Sequence, residues 1–283
     1  MTIRQSLINA TSSLQNTSQS PSLDAEVLLS YVLNISREKL IRNFNSLITT
    51  RQNIKYNQLI SRRKKHEPIA YIINKKEFYN LNFYVDKHVL IPRPETELMV
   101  EEVLRIIKSK KQNIKQILLA DVGTGSGCVA IAIAKNYFNC KIFAIDKSKN
   151  ALTVARKNII NHKLQTEISL LHGNLLTPLK NNVDIITANL PYLTTKQIKA
   201  TKPDVSNFEP TLALLAENSE IVLYDKLLKQ APNYLNQNGI ILLEIDPSFS
   251  QKIIKLSEKY FPTSKIIIKK DLRKKDRLAI IET

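Results

Sequence analysis

The chain has 283 residues, 43% hydrophobic and 24% charged, with a formal net charge of +17. That is enough for one large globular domain or two smaller ones, and the composition excludes a disordered or fibrous chain. No apolar run approaches membrane-spanning length, the polar start MTIRQSLINATSSLQ has no signal-peptide core, and Cys128 and Cys140 lack companions at ligand spacing.

The cysteine usage fits a reducing cytoplasm and argues against a disulfide framework or structural zinc. The basic excess raises a nucleic-acid reading. Lys supplies 31 of the 42 basic residues and Arg 11, spread along the chain, with short clusters at Arg62-Arg63-Lys64-Lys65 and Arg273-Lys274-Lys275. Such a pattern reads first as a solvated Lys-rich surface and second as the mark of an RNA-rich or anionic partner.

Residues 1–66 read as a small helical domain. Ser20 and Pro21 are start signals for a helix with Leu23, Val27, Leu28 and Tyr31 on one face. Ser36 can cap a short helix with Leu40 and Ile41 inside, and residues 51–65 form a longer basic helix. No acid, base or nucleophile constellation occurs there. Residues 67–90 read as a linker. It opens with strand character at 67–73 and continues as a β-hairpin of residues 76–79 and 82–85, turning at Asn80-Leu81. Pro92 and Pro94 then hold the backbone extended up to a helix start. That helix runs to about Lys108 and buries Val100, Val103, Leu104 and Ile107. Glu95 and Glu97 suit the positive end of its dipole, and Arg93, pinned between the prolines, is a candidate at a cleft edge.

From Ile117 the pattern becomes strand, glycine turn, helix, strand, helix. Strands are expected at residues 117–121, 141–146, 168–172, 183–188, 240–245, 265–269 and 277–281, with helices between most of them. Alternation of this kind predicts an α/β fold, Rossmann-like, with a mostly parallel sheet and helices on both faces. The last two strands, joined by a short polar link, should run antiparallel.

The first strand ends at Asp121 and runs into Gly123-Thr124-Gly125-Ser126-Gly127, ahead of a helix from Cys128. Such a turn lets backbone approach a ligand, and the helix start offers N–H groups to a carboxylate or phosphate. The dinucleotide fingerprint places its third small residue one position later, at Cys128 here. The spacing present resembles that of sheet methyltransferases, which bind S-adenosylmethionine. Asp146 ends the next strand, where a carboxylate can accept both ribose hydroxyls, and Asn174 falls at the third strand's tip, where an adenine edge would lie. Each has a plain alternative as a turn or capping residue. The fourth strand ends in Asn189-Leu190-Pro191-Tyr192, a small polar cup suited to a planar NH2 group. His66, His88, His162 and His172 show no ligand spacing, so no metal is expected.

Together with Glu67-Pro68, Glu77-Phe78, Ile91-Pro92-Arg93-Pro94-Glu95-Thr96-Glu97, Phe208-Glu209-Pro210, Leu243-Glu244-Ile245 and Asp276-Arg277, these motifs make the chain resemble the HemK/PrmC protein-(glutamine-N5) methyltransferases along nearly its whole length. In that family the strand-tip motif is Asn-Pro-Pro-Tyr. Leu190 replaces the first Pro, and Asp246 stands where Gly is usual. The resemblance implies a class I methyltransferase domain over residues 91–283 and a substrate-docking role for residues 1–66. It implies S-adenosylmethionine as cofactor, held by Gly123, Thr124, Gly125, Ser126, Gly127, Asp146, Asn174 and Asn189. The substrate would be the Gly-Gly-Gln glutamine of bacterial class I peptide chain release factors. Its amide would be gripped by the Asn189 side-chain oxygen and the Leu190 carbonyl, with Pro191 fixing the turn and Tyr192 packing on the amide. Direct nucleic-acid binding is not required on this reading. An adenine amino-group methyltransferase, using the same kind of cup on DNA or RNA, is the alternative. A catalytically idle binding module is a third.

Overall fold

The computed structural model describes residues 1–109, 116–216 and 219–283. The chain forms two compact units, residues 1–75 with 202–208 and residues 76–201 with 209–283. Among the described residues no helix is long and apolar enough to cross a membrane.

The first unit contains α1 (Ile3–Leu14), α2 (Pro21–Leu33), α3 (Arg37–Arg42), α4 (Thr50–Lys64) and the single turn α5 (Ile69–Ile72). Thr2 with Gln5 and Thr49 with Gln52 form reciprocal capping boxes that start α1 and α4. Ile3, Leu7, Ala10 and Leu14 recur at helical spacing and are buried. The buried face of α2 is not the expected one. Leu23 and Tyr31 are exposed, while Asp24, Ala25, Leu28 and Leu29 face inward. The rotation follows from Asp24, whose carboxylate pairs with the Arg63 guanidinium of α4 at 2.7 Å and accepts from the Ser18 hydroxyl. Ile41, expected inside α3, is likewise exposed, and Leu40 alone is buried there. Strand character was expected from residue 67, but the Pro68 carbonyl accepts from both Tyr71 and Ile72 and closes a helical turn instead.

The second unit opens with a hairpin of β1 (Lys76–Phe78) and β2 (Leu81–Phe83). Its turn lies at Tyr79-Asn80, one residue earlier than expected, with φ of 50° and 57°. That register leaves Leu81 in extended backbone and sets Phe78 and Phe83 edge to face in the core, 6.1 Å apart. The chain continues through α6 (Glu97–Ser109), β3 (Ile117–Val122), α7 (Cys128–Asn136), β4 (Cys140–Asp146), α8 (Lys149–Asn161), β5 (Ile168–His172) and β6 (Val183–Ala188). Short helices α9 (Thr195–Ala200), α10 (Pro203–Ser206, in the first unit) and α11 (Thr211–Leu214) follow. Then come α12 (Val222–Gln230), β7 (Leu235–Glu244), α13 (Ser250–Tyr260), β8 (Lys265–Lys270) and β9 (Asp276–Glu282). β7 begins five residues before the expected strand, because Leu235 pairs with Val183 ahead of a bulge.

The seven strands lie in the order β5-β4-β3-β6-β7-β9-β8. All pairs from β5 to β7 are parallel, and β9 runs antiparallel to both of its neighbours. The chain moves outward from β3 through β4 to β5, then returns to place β6 on the other side of β3. That reversal is a topological switch point, where ligands of open α/β sheets bind. α7 is apolar nearly all round and is buried from Cys128 to Ala134 beneath it.

One buried amide fastens the segment after the hairpin to the switch point. Asn158 of α8 is fully buried; its Oδ1 accepts from the Tyr84 N–H at 2.7 Å, and its Nδ2 donates to the carbonyls of Tyr84 and Ser126 at 2.9 and 2.8 Å. Asn158→Leu would strand these backbone groups, so urea unfolding should show a loss of at least about 2 kcal/mol. A loss below about 0.5 kcal/mol, the scale of an ordinary surface change, would contradict this role.

Candidate active site

The carboxyl ends of β3, β4 and β6 open into one cavity of the second unit. It is lined by Asp121, Gly123, Thr124, Gly125 and Ser126 from the glycine turn, by Asp146 and Asn174, and by Asn189, Leu190 and Pro191. Gly127 stands outside the lining as the residue before α7, with φ 80°, a conformation that favours glycine. Gly123 has φ 73°, and a Cβ there would lie 3.3 Å from Leu190 Cδ2 and 3.4 Å from the Asn189 carbonyl oxygen. The turn and the tip of β6 therefore meet closely, with the Gly123 backbone against the Leu190 side chain and the Asn189 carbonyl. No side chain caps α7, which leaves its first turn open to an anionic group.

Two carboxylates divide the work around the turn. Asp121 is buried and bonded on both oxygens, from the Thr124 hydroxyl at 2.6 Å and the Thr187 hydroxyl of β6 at 2.9 Å. It ties the turn to β6, as the capping alternative had it. Burial pushes its pKa up to about 6, with those two hydroxyls opposing. Asp146 is half-buried. Its Oδ2 accepts from the Gly125 N–H at 2.9 Å and its Oδ1 from the Ser148 N–H at 2.8 Å. A carboxylate has about four acceptor sites, so these donors leave capacity for a hydroxyl. Desolvation raises the Asp146 pKa, and the backbone donors counter it. Ser148 itself caps α8, so Asp146 is not needed for that purpose. Asn174 is exposed at the cavity wall beside Leu175, which takes φ 53°.

At the tip of β6, Asn189 Nδ2 donates to the Thr96 hydroxyl at 3.3 Å, so that no protein donor among the described residues takes Oδ1. The Leu190 carbonyl lies 3.3 Å from the buried Tyr224 hydroxyl, whose single proton goes to the nearer Glu244 carbonyl at 2.7 Å. Tyr192 departs from expectation. It is absent from the cavity wall, and its ring packs on Phe249 with centroids 5.7 Å apart. Phe249 and Tyr224 form an aromatic floor there, and the apolar Tyr192 face is better satisfied on it than in a wet cavity. Burial pushes the Tyr192 hydroxyl up to about 12, which removes it as a base at neutral pH. The Cys128 thiol in the wall is likewise pushed up to about 12 and supplies no nucleophile.

Other residues complete the cavity. Arg93 pairs at 2.6 Å with the buried Glu209 and, with Pro210, lies on the wall facing the glycine turn. Glu97, beyond its place at the helix start, accepts from the Tyr79 N–H at 2.8 Å and fixes the hairpin turn. Thr96 and Glu244 carried no functional reading in the sequence. Both are buried; Thr96 lies in the cavity wall and accepts from Asn189, and only the Pro-Glu-Thr-Glu spacing pointed toward Thr96. Among the described residues no cluster of three or more His, Cys, Asp or Glu side chains is placed to hold a metal ion.

With this geometry in place, comparisons with known proteins become specific. The PrmC N-terminal domain matches residues 5–73, and a methyltransferase domain matches residues 110–278. A release factor glutamine methyltransferase of Buchnera aphidicola subsp. Baizongia pistaciae is 38% identical over 244 residues, covering 86% of each chain. The chain belongs to the release factor glutamine methyltransferase family. A bifunctional methyltransferase of Rickettsia typhi is 34% identical over 274 residues, 91% of this chain and 53% of the relative. The chain thus spans about half the length of that relative. A methyltransferase structure from Pyrococcus furiosus covers 83% of this chain and 98% of its own, with TM-score 0.50 and 17% identity. That likeness bears on the fold alone, a class I methyltransferase sheet.

The buried Glu244 generates a pH prediction. Desolvation pushes its pKa from 4.5 up to about 7, opposed first by the nearby Thr96 hydroxyl. The folded state therefore holds this proton more tightly than the unfolded chain. The contribution to stability is complete below about pH 4.5 and is lost as pH rises through about 7. The melting temperature of Glu244→Gln minus that of the parent should accordingly increase between these limits. Parallel melting curves across that range would contradict the assignment.

Proposed function

We propose that this chain transfers a methyl group from S-adenosylmethionine to the side-chain amide nitrogen of the glutamine in the Gly-Gly-Gln motif of bacterial class I release factors. The observation that carries the reading is the Asn189 amide, turned so that its oxygen is free at the wall of the cavity that also holds the glycine turn and Asp146. Family membership supports the release factor as substrate. The two cysteines are free and buried, in keeping with a reducing cytoplasm, where such substrates are found.

The residues present fit the cofactor. Asp146 keeps acceptor capacity for ribose hydroxyls, the Gly123 and Gly125 backbone admits close approach, and the uncapped start of α7 suits a carboxylate. Bound there, S-adenosylmethionine would supply an electrophilic methyl on a sulfonium. The protein's task is orientation, because an amide nitrogen has its lone pair delocalised into the carbonyl. Asn189 Oδ1 and the Leu190 carbonyl accept the two amide N–H bonds from outside the amide plane. This favours a pyramidal nitrogen with its lone pair exposed. Pro191 locks the turn through its fixed φ. Tyr192 braces that turn from the Phe249 side. The proton leaves after the nitrogen has become cationic, so no strong base is required, and the raised Tyr192 and Cys128 pKa values accord with that. The first unit is assigned the docking of the release factor.

Labelled cofactor supplied with release factor or with nucleic acid tests the substrate class. Label should enter the release factor, and label entering only nucleic acid would overturn the reading. Asn189→Ala should lower kcat by about a hundredfold or more while cofactor affinity stays near the parent's; unimpaired turnover would remove Asn189 from the chemistry. Asp146→Ala should weaken cofactor binding by about tenfold to a hundredfold in calorimetry, the scale of losing hydrogen bonds to a charged group. Unchanged affinity would exclude Asp146 from the site.

A further inference from the structure

We infer that the turn joining β8 to β9 is a docking point for the protein substrate on the second unit. It would receive an apolar pocket ringed by carboxylates, close to the glutamine to be methylated, and so rests on the release factor reading above. The sheet places the turn. β7 runs parallel to β6, with Leu243 opposite Ala188, and β9 runs antiparallel to β7, with Leu278 opposite Glu244. β9 therefore starts, and β8 ends, at the edge of the sheet where β6 leads into Asn189. β9 lies two strands from β6 and β8 three, so at the usual strand spacing the turn stands about 10–14 Å from the strand that carries Asn189. A protein whose glutamine enters the cavity must cover this rim, because an ordinary interface takes about 800 Å² from each partner, a patch about 16 Å in radius.

The turn, residues 271–275, is held by its own bonds. The Asp271 N–H donates to the Lys275 carbonyl, and the Asp271 carbonyl accepts from the Lys274 N–H, both at 2.8 Å. The Asp271 carboxylate accepts from the N–H groups of Arg273 and Lys275 at 2.9 and 3.0 Å and from the Arg277 guanidinium at 3.4 Å. Lys274 takes φ 60° within it. Asp271 is thus taken up by the turn, Asp276 by Lys270 at 2.9 Å, and Asp246, just past β7, by Ser248. Left facing outward are Leu272, which is fully exposed, and Arg273, Lys274 and Lys275, which form no ion pair among the described residues. A single exposed leucine is ordinary on a protein surface. This one is fixed outward by an ordered turn, among unpaired cations, on the edge that carries the chemistry.

The combination selects the partner. A phosphate backbone takes Lys and Arg but gives a leucine nothing, and single-stranded RNA is met by aromatic side chains on which its bases stack. Residues 265–277 contain no aromatic residue. A protein surface satisfies both parts, with an apolar pocket for Leu272 and Asp or Glu carboxylates for the cations around it. Because the turn is already ordered, docking costs it little conformational entropy.

The test is steady-state methylation of intact release factor by the full chain and by two variants, Leu272→Ser and the double variant Arg273→Glu with Lys274→Glu. Each should raise KM about tenfold, with kcat, S-adenosylmethionine affinity and Tm at parent values. Added salt should raise the parent KM and affect the charge-reversed variant less. Parent-like KM in either variant overturns the docking point and leaves the substrate reading standing, as does a lower kcat at unchanged KM. Fluorescence anisotropy with a single-stranded RNA oligonucleotide is the second arm. RNA binding that the charge reversal abolishes, with KM for release factor unmoved, gives the turn to nucleic acid and overturns the docking point. A parent protein that transfers no methyl group to release factor overturns the substrate reading, and the docking point with it.

Discussion

The structure depends on contact between the glycine turn and the tip of β6. At Gly123 any side chain would meet the Leu190 side chain and the Asn189 carbonyl, so the bare Gly123 backbone is what lets the two loops approach. Asp121 reinforces this by bonding Thr124 of the turn and Thr187 of β6 at once. The pocket proposed for the methyl donor and the cup proposed for its acceptor are thereby held at one separation. A transfer reaction that relies on alignment more than on acid, base or nucleophile needs that rigidity most.

Burial and polarity are distributed unevenly around this contact. The wall facing the cavity carries groups with unused acceptors, namely Asp146 and Asn189 Oδ1. The layer behind it is closed, with Glu244, Tyr224 and Thr187 all buried. Polar groups in such a layer hold their partners strongly because water cannot replace them. The cost is a carboxyl whose charged form is disfavoured, as the raised pKa of Glu244 shows. Asp24 and Arg63 in the first unit show the other solution, a buried carboxylate neutralised by a guanidinium at 2.7 Å.

Much of this was legible in the sequence. The sheet follows from alternating apolar runs and glycine or polar breaks, and each strand from β3 to β6 has a polar residue at its end or within one residue of it, where the chain must leave the sheet. That is why Asp121, Asp146 and Asn189 could be named from position alone. Less legible were effects set by partners far along the chain. Helical periodicity could not place Asp24 inward of Leu23, because Arg63 decides it. The hairpin turn moved by one residue because Asn80 accepts positive φ and Leu81 paired with Phe78 instead. Tyr192 read as a substrate contact until the aromatic floor of Phe249 and Tyr224 came into view. Thr96 and Glu244 were given no role, since the motifs that carry them do not say what either side chain touches. The short helices of residues 195–214 are too brief for a periodic pattern to register.

The central claim is that a carboxamide is gripped by two oxygen acceptors at the tip of β6. A crystal structure of the protein with S-adenosylhomocysteine and a Gly-Gly-Gln peptide tests it most directly. The account predicts the glutamine nitrogen within hydrogen-bonding distance of both Asn189 Oδ1 and the Leu190 carbonyl, facing the sulfur. A glutamine side chain bound away from Asn189, or met by its NH2 group, would contradict it.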